Sequence, residues 1–226
     1  MGHLHRLIVF DLDGTLVDSR RDLADAANAL IVERGGQPQP EEAVGRMVGE
    51  GAAMLVRRAL GAAGLPVDEA ALPRFLELYD DRLLNTTVAY DGISQALDAL
   101  SGDAALAVLT NKPARPSGRI LDALGLSPRF TETIGGDSAF PRKPDPSSLR
   151  HLMAAHGAEP STTVLVGDSW VDCETARAAG AGICLVRYGF GYQSVDLSRL
   201  RGDEALVDRA SEIPDAVRRL LDSTRA

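Results

Sequence analysis

The apolar positions of this chain follow two rhythms. Leu7-Ile8-Val9-Phe10 is an unbroken apolar run, too short for a helix and without polar alternation, which predicts a strand buried on both faces. Residues 104–109, 163–166 and 182–186 have the same character, while 131–135 and 205–207 predict a short third strand and an edge strand. Between these runs the apolar spacing lengthens to that of helices, over 93–100, 116–124, 147–157, 171–179 and 212–221. Strands alternating with helices predict a doubly wound, Rossmann-like α/β fold with a mostly parallel sheet covered on both faces. One stretch breaks the alternation. From residue 17 to 90 the spacing is helical throughout, over 20–34, 41–48, 52–60 and 68–84, with no buried strand. Gly35-Gly36 with Pro38 and Pro40, then Gly49-Glu50-Gly51, then Gly61, Gly64 and Pro66 separate these helices. Pro73 falls inside the last of them, so that helix is either kinked there or begins there. The pattern thus predicts an α/β core of residues 1–16 and 91–226, and a small all-α cap domain, 17–90, inserted after the first strand.

The residues just past the buried strands are the candidate chemistry. The first strand is followed by Asp11 and Asp13, the second by Thr110 and Asn111, and the fourth by Asp168 and Ser169, with Asp172 one turn on. Lys143 lies in a loop after the third, among Pro141, Pro144 and Pro146. In a parallel sheet these ends share one edge, the edge at which open α/β sheets bind ligands. Asp11-Leu12-Asp13-Gly14-Thr15 alone also has the composition of an ordinary turn. Its convergence with two more carboxylates, a hydroxyl and an ammonium gives it a chemical meaning. A carboxylate cluster with no histidine or thiol partner suits a hard, oxygen-seeking cation, Mg²⁺ foremost. Such a set fits phosphoryl transfer: one carboxylate attacks phosphorus and a second moves the proton, while lysine and threonine hold the non-bridging oxygens.

Charge and composition narrow the partners. The chain has 226 residues, 45% of them hydrophobic, which is normal for a sizeable core. A formal net charge of −8 argues against general nucleic-acid binding, and means that an anionic substrate needs local positive groups. Cys173 and Cys184 form no Cys-x-x-Cys pair, which points to packing roles in a reducing compartment. Asp11 and Asp13 interrupt the apolar N-terminus too early for a signal peptide, and no run is long enough to span a membrane. A cytoplasmic protein with no membrane or nucleic-acid partner is expected; the sequence does not choose between monomer and homodimer. His3 and His5 read as part of a flexible N-terminus, and His151, His156, Trp170 and Cys173 are given no chemical role.

Taken together, Asp11-Leu12-Asp13-Gly14-Thr15, Thr110-Asn111, Lys143 and Gly167-Asp168-Ser169 with Asp172 resemble the four motifs of the haloacid dehalogenase-like hydrolase superfamily, in order and separation. The helical insert is similar to that family's small α-helical cap. The resemblance implies Asp11 as nucleophile and Asp13 as general acid and base, with Thr110 and Lys143 on the phosphate. It implies Mg²⁺ on Asp11, the backbone carbonyl of Asp13, and Asp168, with Ser169 and Asp172 behind it. Gly14, Thr15 and Asn111 would border the substrate. The opening Phe10 to Ser19, the segment Val48-Gly49-Glu50-Gly51-Ala52 and Val166-Gly167-Asp168-Ser169 are most similar to phosphoglycolate phosphatases. That likeness implies a phosphatase of 2-phosphoglycolate or a similar small phosphorylated metabolite, working through an aspartyl-phosphate. In this family the cap supplies specificity, so Arg46 and Glu50 are candidate substrate contacts. A sugar-phosphate mutase resembling β-phosphoglucomutase, a pyrophosphatase, and a non-enzymatic phospho-acceptor module are the alternatives. Asp13 speaks against a dehalogenase, and Asp13 with the insert speaks against a receiver-like module.

Overall fold

The computed structural model describes residues 5–223. In chain order these fold as β1 (His5–Phe10), β2 (Val17–Asp18), α1 (Arg20–Glu33), α2 (Glu41–Gly45), α3 (Ala52–Ala62), α4 (Ala71–Asp80) and β3 (Val88–Ala89). There follow α5 (Ile93–Ser101), β4 (Ala105–Leu109), α6 (Ala114–Ala123), β5 (Glu132–Ile134), α7 (Ser147–His156) and β6 (Ala158–Gly167). The chain ends with α8 (Trp170–Ala179), β7 (Gly182–Val186), β8 (Ala205–Val207) and α9 (Ile213–Ser223).

Six strands form one parallel sheet in the order β5-β4-β1-β6-β7-β8. The period of two along each strand sends alternate side chains to opposite faces. Ile8, Phe10, Val108, Val164 and Val166 share one core with Leu97 of α5, Ile120 of α6 and Val217 of α9. Leu7, Val9, Leu109, Leu165 and Leu185 share the other with Leu152 of α7 and Cys173 of α8. Both faces are therefore covered, as the doubly wound pattern requires, and β1 lies inside the sheet with its whole apolar run buried. Phe10 meets Phe130 edge-on, ring centroids 6.2 Å apart.

Helices α1 to α4 gather around α1, burying Leu30, Ile31, Leu60 and Phe75. Phe75 and Tyr79, one turn apart on α4, stack at 6.0 Å. Pro73 stands in the first turn of α4, where its missing N–H has no helical partner to lose. That helix starts at Ala71 rather than 68 and is not kinked by its proline. The 17–90 stretch is not wholly helical. β2 and β3 pair antiparallel at its two ends, Val17 with Ala89 and Asp18 with Val88. Two-residue strands are too short to leave a periodic signal. Two further boundaries differ. His5 is no loose terminus but the first residue of β1, paired with Ala158, while His3 lies outside the described residues. β6 begins five residues earlier than its apolar run, with a register shift between His5 and Leu7. Cys173 and Cys184 are free and buried. No helix among the described residues is long and apolar enough to cross a membrane.

Candidate active site

Strand β1 delivers Asp11 to the carboxyl edge, where its backbone N–H donates to Val166 O at 2.9 Å. The chain then turns sharply. Leu12 O accepts from Leu16 N at 3.0 Å and Val17 N at 3.1 Å, and Leu12 and Leu16 anchor the turn in the core. Gly14 holds this turn at φ +85°, a conformation that a side chain would strain. Its second constraint is space: a Cβ there would run into the Asp168 carboxylate, and so would one at Gly189 or Gly191. Gly191 N donates to Asp168 Oδ2 at 2.7 Å.

Lys143 links the strand ends. Its side chain is 2% exposed, and its ammonium lies 2.9 Å from Asp11 Oδ1 and 2.6 Å from Asp172 Oδ1. Asp172, in the first turn of α8, accepts at Oδ2 from Ser169 N at 3.1 Å and Ser169 Oγ at 2.6 Å, a capping box that fixes the helix start. Ser169 and Asp172 thus orient each other and Lys143. Oxygens of Asp11, Asp168 and Asp172 all lie within 4.8 Å of one another, and all three residues are buried. Burial raises the Asp11 carboxyl to about 6, with Asp172 and Asp13 adding to the rise and Lys143 opposing it. Burial, then Asp11 and Asp172, push Asp168 well above the usual carboxylate range. Burial works against the charge of Lys143, but Asp11 and Asp172 outweigh it and hold its proton tighter than usual. Among the described residues, three carboxylates face one ammonium here, and Asp168 has a single N–H donor and no cationic partner within bonding distance. That surplus of buried anionic oxygen fits a hard divalent cation.

Asp13 points elsewhere. Its carboxylate accepts from Ser19 Oγ at 2.5 Å and from Lys112 Nζ at 3.0 Å to each oxygen. Lys112 is buried, with its ammonium 4.5 Å from the centroid of the Tyr79 ring. Thr110 N donates to Ile134 O at 3.0 Å and its Oγ1 accepts from Lys112 N at 3.2 Å. Asn111 Nδ2 ties two loops together, donating to Gly49 O at 2.8 Å and Lys143 O at 3.0 Å. Asp11, Asp13, Thr110, Asn111 and Lys112 form the polar end of a cleft. The rest of its wall is mostly apolar: Leu23, Val48, Leu55, Phe75 and Leu76, with Tyr79, come from the helical stretch, and Pro113 and Pro116 from the segment after β4.

The structure therefore brings Asp11, Asp13, Gly14, Thr110, Asn111, Lys143, Asp168, Ser169 and Asp172 to one edge. Thr15 is fully buried behind the turn, its carbonyl accepting from Tyr188 Oη at 2.9 Å and its own Oγ1 without a hydrogen-bond partner among the described residues. Arg46 and Glu50 are not on the Asp11 cleft. They line a neighbouring depression with Arg58, Ser169 and Trp170, and Glu50 is salt-bridged to Arg58. On either side of Glu50, Gly49 and Gly51 do line the cleft. Sequence reasoning passed over Lys112, Ser19, Tyr79 and Gly191. Only Lys112 carried a signal, as a cation two residues past Thr110's strand end.

Comparison with known proteins follows the same edge. The model of the haloacid dehalogenase-like hydrolases matches residues 8–186, from β1 through β7. The chain is 41% identical over 199 residues to a phosphoglycolate phosphatase of Rhodospirillum rubrum, covering 84% of this chain and 83% of that one. It is 37% identical to a phosphoglycolate phosphatase of Caulobacter vibrioides, over 100% of this chain and 98% of that one. A crystal structure of a predicted phosphoglycolate phosphatase from Haemophilus somnus superposes with a TM-score of 0.85 at 31% identity, covering 95% of this chain and 99% of that one. The match of the family model from β1 through β7 and these likenesses lead to one assignment: the chain belongs to the haloacid dehalogenase-like hydrolase family.

Proposed function

We propose that this chain is a Mg²⁺-dependent phosphatase of small phosphate monoesters, acting on 2-phosphoglycolate or a similarly small phosphorylated metabolite through an aspartyl-phosphate on Asp11. The observation that carries the reading is the pairing of two carboxylates with separate partners at the mouth of one small cleft. Asp11 is clamped by Lys143 at 2.9 Å, and Asp13 by Lys112 and Ser19. The names of the relatives, and their coverage of nearly the whole chain, favour a phosphatase and suggest the substrate.

In this reading Asp11 attacks phosphorus and the ester bond breaks. Asp13 gives its proton to the departing oxygen, then takes one from the water that hydrolyses the acyl-phosphate. Lys143 and Thr110 balance the charge on the transferred oxygens. Asp11, Asp168 and the backbone carbonyl of Asp13 would hold Mg²⁺, which when bound offsets carboxylate–phosphate repulsion and polarises the phosphoryl group. Helices α1 to α4 act as the cap whose apolar wall limits substrate size, and the free buried cysteines suit the cytoplasm. The test is release of inorganic phosphate from 2-phosphoglycolate and a generic aryl phosphate, with and without Mg²⁺. Turnover is expected only with the metal, and Asp11→Asn should abolish it. Equal rates in Asp11→Asn and wild type would refute the nucleophile. An isomerised sugar phosphate, without phosphate release, would favour a mutase.

A further inference from the structure

The polar ties between the helical stretch and the α/β core converge on one short segment. Among the described residues, every hydrogen bond and ion pair between 20–84 and 91–223 starts from 110–119: Asn111 to Gly49, and Arg115 and Arg119 to Asp80, while the Lys112 ammonium lies over the Tyr79 ring. Of these residues only Asn111 is also bonded to Lys143. Its Nδ2 has two protons, and it donates one to Gly49 O at 2.8 Å and the other to Lys143 O at 3.0 Å. One planar group therefore sets the distance between the turn 49–51 and the backbone of the residue that clamps Asp11. Its own backbone has no slack: a Cβ on Gly136 would run into Asn111 O, and one on Gly51 would stand 3.2 Å from it. The other end of the carboxamide is an independent sign. Asn111 is 5% exposed, and its Oδ1 is buried with no hydrogen-bond partner among the described residues. An orphaned buried acceptor costs stability, so a side chain that served packing alone would do better without it.

We propose that Asn111 is a positioning residue, which makes the placement of Lys143 depend on how the turn 49–51 is seated. This rests on the phosphatase reading above. Gly49 and Gly51 line the cleft, so a substrate that fills it bears on this turn. The amide passes that contact on to Lys143 O, and the Lys143 ammonium balances the charge that develops on the transferred oxygens. Fit in the cleft is thereby expressed in the chemical step rather than in binding alone.

The test is steady-state hydrolysis of 2-phosphoglycolate and of a generic aryl phosphate by the Mg²⁺-loaded enzyme, with kcat and KM read separately. Asn111→Asp keeps the shape but sets a carboxylate against two carbonyls, and kcat should fall by about 100-fold. Asn111→Ala should lower kcat by about 10- to 100-fold, with KM within about 3-fold of wild type. Gly49→Ala disturbs the same bond from the other side. The φ of +121° there strains any side chain, while nothing stands within 4 Å of the added methyl. Alone it should lower kcat by about 10-fold; in the Asn111→Ala background, with no bond left to disturb, by less than about 2-fold. Circular dichroism establishes that each variant is folded. A raised KM with unchanged kcat in Asn111→Ala overturns the proposal, since it would make Asn111 a plain substrate contact. So does full additivity of the two substitutions, which would show that the turn and Asn111 act separately. No turnover of either ester by wild type would instead refute the phosphatase reading, and the positioning role with it.

Discussion

Asp22 is a carboxylate with no exposed surface, in the first turn of α1. It accepts from Thr86 N at 3.0 Å, Thr86 Oγ1 at 2.6 Å, Thr87 N at 3.0 Å and Thr87 Oγ1 at 2.6 Å. One side chain thus ties the start of the helical stretch to the segment that leads out of it. Asp22→Ala would strip all four donors. Thr86 is exposed and regains water, so its loss is small, but Thr87 is buried and its N–H and O–H would be left unpaired. At about 1–3 kcal/mol for each buried orphan, less what is regained by no longer burying a charge, the net loss should be about 3 kcal/mol. Asp22→Asn keeps one acceptor and should cost less. Burial opposes ionisation of Asp22, but the bonds from Thr86 and Thr87 outweigh it and hold the carboxyl below its usual range. A folded pKa below the unfolded one gives stability that is present above the unfolded value and lost as pH falls through the folded one. Urea unfolding at a series of pH values measures this. The gap between wild type and Asp22→Ala should be full at pH 7 and close as pH falls below about 4. A gap under about 0.5 kcal/mol at pH 7, or one that does not change with pH, would refute the reasoning.

Three other outcomes follow from the site and its supports. Gly14→Ala places a methyl on a left-handed turn and against Asp168, so kcat/KM for any phosphate ester should fall by about 100-fold or more, read in the steady-state phosphatase assay. Lys143→Met leaves Asp11 and Asp172 without their ammonium, beside a third buried carboxylate in Asp168; thermal unfolding should show a loss of about 3–5 kcal/mol, partly restored by millimolar Mg²⁺. Burial opposes the charge of Glu204, but N–H groups of Arg201 and Gly202 and the Arg177 guanidinium bring it down to about 2. Its contribution, at most about 3 kcal/mol, should be complete above pH 4.5 and vanish as pH drops to about 2, so Glu204→Gln and wild type should converge in acid unfolding.

The sheet and the acidic edge were legible because a buried parallel strand announces itself as an apolar run, and the residue after it is held where ligands bind. Asp11, Thr110 and Asp168 follow from that rule alone. Lys143 needed the loop prolines, and then the resemblance, to be singled out. Other parts depend on contacts far apart in sequence. Lys112 reads as one more loop residue until the fold brings it 3.0 Å from Asp13, 99 positions earlier. Asp22 sits beside Leu23 in a regular helical pattern, and its partners stand more than 60 residues on. β2 and β3 are two residues each, shorter than any period can register. Arg46 follows the short helix α2, whose surface position turns on packing, and periodicity does not tell which of two adjacent hollows it borders.

The glycines around Asp168 have a thermodynamic consequence. Backbone from the turn after β1 and from residues 189–191 encloses the carboxylate, and Gly191 N pins one oxygen at 2.7 Å. No rotamer change in a neighbouring side chain can relax that wall, and Asp168 has no room to swing. A flexible ligand surrenders rotational freedom when an ion arrives, at a cost of about 0.5–1.5 kcal/mol for each side chain immobilised. Here the freedom of Asp168 is given up when the chain folds. A cation entering this site would meet an oxygen already in position, so its affinity would depend on charge and desolvation rather than on ordering the ligand.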